Sequence, residues 1–328
     1  MRSGRQRRPP RAARDPWQPV AVFREQEADG LGGRVTVGTV LLTARECPFS
    51  CTFCDLWKTT LPERLPPGAI AAQVRSALPR LADADWIKLY NSGNFFDPQS
   101  IPASDRHLVG EACRDHQRVI VENHPRLARP VVREFAESID GRLEVAMGLE
   151  SIQPGLLETY RKAMNLDDWR RACDRLRGWH VDIRAFVMIG PPGCESGGEV
   201  DWALATADFA ARHGARCVAL IPARIEGRMS GGGCTLAMLE QCAATLKKMA
   251  GMETVFTIDL WDFDRISGCD QCARPRRERL ERFNLMQRLD DPIFCPACNG
   301  GISNHERDAG DSPTPSPPSG DAASPAAH

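Results

Sequence analysis

The sequence predicts an α/β fold: a partial or full parallel (β/α) barrel followed by a small, cysteine-rich metal-binding module. Three observations carry this expectation. Short β-rich runs alternate with helical patterns through residues 31–262, as a parallel sheet with crossover helices requires. The residues with chemical potential fall in loops that follow strands, where a parallel barrel collects its site. Seven of the thirteen cysteines lie in two regularly spaced clusters, one early and one late in the chain.

The elements follow in order. Residues 34–43, R-V-T-V-G-T-V-L-L-T, are rich in β-branched groups and read as a strand that delivers the chain to a cysteine loop. Residues 67–78 read as a helix with Pro67 near its start. Residues 86–90 read as a strand ending at N-S-G-N, 118–122 as the next, ending at E-N-H-P, and 144–150 as another, ending at G-L-E-S. A helix over 167–179 stops near Gly178, and a strand over 182–190 runs into I-G-P-P-G-C-E. A helix over 201–214 closes at Gly214, residues 216–222 form a strand that leads into A-R, and 254–261 is a late strand. Residues 1–30 are Arg- and Pro-rich and read as a disordered tail, with 17–23 packing on the domain edge. Residues 301–328 include D-S-P-T-P-S-P-P-S-G-D, which holds too little apolar surface to fold. The expected organisation is therefore a tail over 1–30, a barrel over 31–262, a metal module over 263–300 and a second tail over 301–328.

Composition narrows the function classes. Lys and Arg number 42 against 43 Asp and Glu, a net charge of −1, so nothing draws the whole chain toward nucleic acid or an acidic surface. No apolar run reaches spanning length, so no membrane partner is expected. Residues 1–16 carry six Arg and no apolar stretch, unlike a secretory signal, and Pro9 and Pro10 break any amphipathic targeting helix. An odd number of cysteines without an export signal argues for thiols held reduced, and hence for the cytoplasm.

The first cluster is C-P-F-S-C-T-F-C, which places Cys47, Cys51 and Cys54 in a C-x3-C-x2-C pattern with Phe53 before the last cysteine. Three thiolates hold three irons of a [4Fe–4S] cube and leave the fourth iron open. A zinc knot is the alternative. It needs a fourth ligand at short spacing, and neither Cys nor His recurs until His107.

This motif resembles the signature of the radical S-adenosylmethionine (SAM) superfamily, C-x3-C-x-aromatic-C. The resemblance implies that SAM chelates the open iron through its amino and carboxylate groups. One electron from the cluster then cleaves it to a 5′-deoxyadenosyl radical that abstracts a substrate hydrogen, with a flavodoxin- or ferredoxin-like donor supplying the electron. It implies adenine contact for Phe53. Asn91, Ser92, Gly93 and Asn94 resemble the family's Gly-rich element, which meets the SAM amino group, although the usual G-G-E spelling is absent. Glu150 and Ser151 correspond to acceptors for ribose hydroxyls. Residues 189–195 resemble an I-G-x-P-G-E element, with Cys194 inserted before Glu195; Gly190 and Gly193 there permit close backbone approach. Main-chain groups at Leu220, Ile221 and Pro222 resemble the adenine-binding segment.

Other residues at strand ends stay open between roles. Arg184 and Arg224 suit either a ligand carboxylate or a structural ion pair. Glu122, Asn123 and His124 share one face, for substrate contact or for structure. Over residues 35–298 the chain looks closest to the archaeosine-biosynthesis radical SAM proteins and their bacterial relatives, related to the Elongator catalytic subunit. That branch implies a lysine-bearing 7-deazaguanine in tRNA as substrate for its archaeal members.

Cys269, Cys272, Cys295 and Cys298 form C-x2-C-x22-C-x2-C. Four thiolates fit structural Zn²⁺ or a saturated second Fe–S cluster, and the paired knuckles favour zinc. The segment between them reads as an amphipathic helix with Leu280, Phe283 and Leu289 inward and a polar face of Arg and Glu. The sequence thus points to a radical SAM enzyme acting on an amino-acid-like small molecule or a modified nucleoside. Its rivals are a zinc-ribbon RNA-binding protein on a degenerate barrel and an iron–sulfur electron carrier.

Overall fold

The computed structural model describes residues 11, 13–223, 233–249, 253–266 and 268–298. The expected tail over 301–328 and the first ten residues lie outside this set. Two compact units divide the chain, Met1–Asp290 and Asp291–His328. In chain order the larger unit holds β1 (Ala21–Ala28), β2 (Arg34–Leu41), α1 (Ala69–Ala77), β3 (Trp86–Tyr90), α2 (Ala103–Ala112), β4 (Arg118–Glu122), α3 (Pro130–Ala136) and β5 (Arg142–Glu150). There follow α4 (Leu156–Thr159), α5 (Leu166–Gly178), β6 (Asp182–Ile189), α6 (Glu199–Arg212), β7 (Ala215–Pro222), α7 (Leu236–Met249), β8 (Val255–Ile258) and α8 (Ala273–Met286).

Among the described residues eight strands form one sheet in sequential order, β1 to β8, and its two ends are not paired to each other. The barrel is therefore partial. Strands β2 to β8 run parallel, while β1 pairs antiparallel with β2 in the register Ala21↔Leu41 to Ala28↔Arg34. The seven parallel strands are those of the expected barrel; β1 adds an antiparallel edge, and residues 21–28, expected within the tail, are strand. The hairpin between β1 and β2 is built locally. Asp29 Oδ1 accepts the N–H groups of Leu31 (2.6 Å) and Gly33 (2.9 Å), and Gly30 and Gly32 supply the positive φ the turn needs.

Alternation along each strand sorts the two faces. On β5, Leu143, Val145, Met147 and Leu149 join the main hydrophobic core under the helices. Glu144 turns inward, where it takes Arg118 of β4 (3.0 Å), Arg184 of β6 (2.6 Å) and Arg216 of β7 (2.7 Å). Glu27 of β1 takes Lys88 of β3 (2.6 Å) and Arg184 (2.6 Å), and Glu25 also reaches Lys88 (2.7 Å). Burial alone raises the Glu144 carboxyl, but Arg216, Arg184 and Arg118 outweigh it and hold the group down at about 2. The charged pattern of β1 explains why it reads as a tail: its polar residues face a polar interior that exists only once the sheet curls. Arg184 is a structural ion-pair member here, which settles one of the two roles open to it.

Helix α8 packs against both end strands, β1 and β8. The amide side chains of Asn284 on α8 and of Gln287, its C-cap, stand in for a ninth strand. Asn284 accepts from the N–H of Ile258 (2.8 Å) and donates to its carbonyl (2.8 Å). Gln287 does the same at Phe256 (2.8 and 2.9 Å). The open edge of β8 is thus satisfied without strand pairing. Leu280 and Phe283 on α8 are fully buried in the same core as the barrel helices, so α8 lies in the larger unit rather than in a separate module beginning at 263.

Asn284→Ala and Gln287→Ala should each destabilise the fold by about 1–3 kcal/mol, because each strands a backbone donor and acceptor at a covered edge. Urea denaturation of the single and double variants measures this. Losses within a few tenths of a kcal/mol would show that water replaces the amides freely.

Candidate functional site

The loop after β2 carries the three cysteines, and the neighbouring strand ends shape it. Leu61 donates to the carbonyl of Ala44 (2.8 Å) and Glu46 to that of Leu61 (2.9 Å), closing the loop on itself. The buried amide of Gln73 on α1 bonds both the N–H (2.8 Å) and the carbonyl (2.9 Å) of Thr43 at its base. Thr52 donates to the carbonyl of Tyr160 (2.9 Å).

Cys47, Cys51 and Cys54 are all half-buried and none forms a disulfide. Hydrogen-bond donors and a cation surround the sulfurs. Cys47 Sγ receives Asn94 Nδ2 at 3.0 Å and the N–H of Phe49, and Cys54 receives the N–H of Leu56. Each thiol feels at least one of the other two, and Lys162 acts on all three. Burial raises all three thiols, that of Cys54 to about 11. The donor set fits a group that neutralises three thiolates, as an iron–sulfur cube does.

The segment after β3 lies against this loop. The Glu122 carboxylate at the end of β4 accepts the backbone N–H groups of Asn91 (2.9 Å), Ser92 and Gly93. Burial nevertheless raises it to about 7. Ser92 adopts a positive φ of 52°, and a Cβ on Gly93 would stand 3.7 Å from the Cβ of Cys47. The fully buried Asn91 side chain donates to Ser100 Oγ (3.1 Å), which in turn donates to the Arg45 carbonyl at the start of the cysteine loop (3.1 Å). Ser92 Oγ meets Thr59 Oγ1 at 3.1 Å.

The end of β5 supplies the second wall. Glu150 is buried at a positive φ of 66° and pairs with buried Lys162. A Cβ on Gly148 would fall 2.0 Å from Glu150 Oε1 and 2.5 Å from Lys162 Nζ, so only glycine leaves room for this pair. Ser151 is buried, and its Oγ accepts from the N–H of Gln153 (3.1 Å). Phe53 packs edge-on against Tyr160 (5.0 Å between centroids) with Lys162 Nζ 5.8 Å from its own ring. The Tyr160 hydroxyl donates to Pro192 O (2.6 Å), which ties this wall to the segment after β6.

Gly190 has φ of 61°, and a Cβ there would meet the Gly233 carbonyl oxygen at 2.4 Å; its close approach is to its own chain. Gly193, at φ of 81°, lies beside Leu156. Leu220 is fully buried and its carbonyl accepts from Asp259 (2.8 Å), while Ile221 and Pro222 are half-buried at the end of β7. Glu195 accepts from Trp202 Nε1 (3.3 Å). Arg224 lies outside the described residues.

His124 has structural partners. Its Nδ1 accepts the N–H of Arg126 (3.2 Å), so Nε2 carries the proton and donates to the Lys162 carbonyl (2.9 Å). Its ring stacks on Phe49 at 3.9 Å. Burial, with help from Lys162, lowers it to about 4. His124 thus braces the cysteine loop and Lys162 together. Lys162 and the roles of Glu122 and Phe49 escape sequence reading, since nothing in their spacing marks them.

Cys269 and Cys272 lie at the start of α8 in the larger unit, Cys272 as its N-cap, and Cys295 and Cys298 lie in the smaller unit. No helix among the described residues is long and apolar enough to cross a membrane.

Among solved structures, a radical SAM methyltransferase from Sphaerobacter thermophilus matches with a TM-score of 0.52 and 15% identity, over 74% of this chain and 77% of that one. The archaeal Elp3 of Methanocaldococcus infernus gives 0.49 and 15%, over 66% and 59%. The radical SAM methyltransferase TsrM from Kitasatospora setae, with tryptophan and a SAM analogue bound, gives 0.40 and 19%, over 58% of this chain and 36% of TsrM. No protein-family model and no curated protein matches the chain. The first of these structures establishes that the chain has the radical SAM fold.

His124 predicts an acid-sensitive fold. Its ordinary value near 6.5 falls to about 4 in the folded chain, so below pH 6.5 the unfolded state takes the proton first and stability drops as pH falls toward 4. Between pH 7 and 5 this amounts to roughly 2 kcal/mol. His124→Gln should flatten that part of the urea-denaturation profile; an unchanged slope would remove His124 as its source.

Proposed function

We propose that this chain is a radical SAM enzyme, with Cys47, Cys51 and Cys54 as ligands of a [4Fe–4S] cluster and SAM bound at its open iron. The observation that carries the reading is the three-cysteine loop at the carboxyl end of β2, inside a radical SAM fold and surrounded by N–H donors and Lys162. When bound, the cluster supplies the electron that cleaves SAM and starts hydrogen abstraction.

The chain's own residues orient and shield this chemistry. Lys162 compensates negative charge beside the three sulfurs, and Glu150 holds its ammonium in place. Glu122 fixes the backbone of residues 91–93 against Cys47, with Asn91, Ser92, Gly93 and Asn94 on the cofactor side. Glu150 and Ser151 serve the ribose side. Phe53, Gly190, Gly193, Ile221 and Pro222 bound the adenine side, and buried Leu220 contributes its main chain.

We place the enzyme in the reducing cytoplasm, with a flavodoxin- or ferredoxin-like donor. The substrate is an amino-acid-like molecule or a modified nucleoside, the 7-deazaguanine of tRNA being one candidate. The four C-terminal cysteines hold a Zn²⁺ ion on the strength of their paired C-x2-C spacing, with a second Fe–S cluster as the alternative.

Anaerobic reconstitution should give ~4 iron at the first site. Incubation with SAM and reductant should release 5′-deoxyadenosine, and Cys51→Ala should abolish that product. Survival of 5′-deoxyadenosine formation in the variant would defeat the assignment. Deuterium transfer from labelled lysine-bearing 7-deazaguanosine into 5′-deoxyadenosine tests the substrate, and its absence across such nucleosides turns the search to free amino acids.

A further inference from the structure

We propose that Asn94 is a positioning residue for the iron–sulfur cluster, whose side-chain amide donates a hydrogen bond to the Cys47 sulfur and so sets how readily the cluster accepts an electron. The inference rests on the radical SAM reading and adds to it a control of redox poise.

Three observations support it. Asn94 is 2% exposed, and its Nδ2 stands 3.0 Å from Cys47 Sγ. The segment that carries it is held on both sides. Upstream, Glu122 takes the N–H groups of Asn91, Ser92 and Gly93, and Asn91 Nδ2 bonds Ser100. Downstream, Phe95 donates to the Glu122 carbonyl (2.8 Å), and Asp97 donates to the Asn94 carbonyl (3.2 Å). The amide is therefore aimed by its frame rather than drawn in by chance.

Chemistry selects which end of the amide faces the sulfur. A cluster-bound thiolate has no proton to give and only accepts. The amide oxygen would set a lone pair against a negative sulfur, so Nδ2–H is the end that fits. An N–H···S bond withdraws charge from the ligand and favours the more negative, reduced state of the cluster. An acidic residue at this place would do the opposite. The N-S-G-N segment carries no carboxylate of its own; the carboxylate beneath it belongs to Glu122 and is occupied by backbone N–H groups.

The test uses the full chain, reconstituted anaerobically, with iron and sulfide assayed first. Reduction is followed by electron paramagnetic resonance at poised potentials for the wild type, Asn94→Leu and Asn94→Asp. Both variants keep the approximate size of asparagine and lack the N–H donor. The expected result is wild-type iron content with a more negative midpoint. At a fixed potential the ratio of reduced to oxidised cluster should fall about tenfold, which is 59 mV for one electron.

Wild-type midpoints in both variants would overturn the proposal and leave the radical SAM reading intact. Failure of the wild type to assemble a [4Fe–4S] cluster would overturn that reading itself. A second measurement needs no variant: asparagine labelled with ¹⁵N in the wild type should give a nitrogen hyperfine coupling to the reduced cluster, and its absence also refutes the hydrogen bond.

Discussion

A buried carboxylate sits at the centre of this molecule. Glu144 is fully enclosed, and three guanidinium groups from three other strands converge on it. A charge in that position is tolerated only while all its partners hold their places. Arg184 in turn needs Glu27, and Lys88 needs Glu25 and Glu27, so the network reaches back to the first strand. This one network joins β1, at the edge of the sheet, to β3, β4, β5, β6 and β7.

Above this floor the strand ends support one another more than they support themselves. The loops near the cysteines are held from elsewhere in the chain: Glu122 and His124, both at the end of β4, hold residues 91–93 and brace Phe49 and the Lys162 carbonyl, and Tyr160, at the C-terminal end of α4, joins the cysteine loop to Pro192. Such cross-bracing suits a site that must place a cofactor and its substrate within a fraction of an ångström of a reactive geometry. It also concentrates strain usefully. Ser92 and Glu150, both at positive φ without being glycine, lie in the two segments that flank the cysteines.

The edge strategy is separate from the chemistry yet makes it possible. A partial barrel leaves two unpaired edges, and β8 is covered by paired amides from α8 instead of by β1. Side-chain amides reproduce the donor–acceptor spacing of a strand while leaving the sheet open, so the interior need not close around a small, fully packed core.

Much of the fold and part of the candidate site were legible in the residues themselves. The parallel strands announced themselves because each is β-branched and flanked by turn formers, and residues 86–90 and 118–122 coincide with β3 and β4. The cysteine spacing was legible because a cluster ligand set is local in sequence, and Gly148 was legible as part of G-L-E-S, although the reason for it, room for Glu150 and Lys162, was not. Strand β1 was hidden because its inward charges look like a solvated tail until Lys88 and Arg184 stand opposite them. Lys162, the bracing role of His124 and the amide of Asn94 against Cys47 belong to the tertiary structure alone. Contacts between loops far apart in the chain have no period and no fixed spacing, and only the sheet that brings the strand ends together creates them.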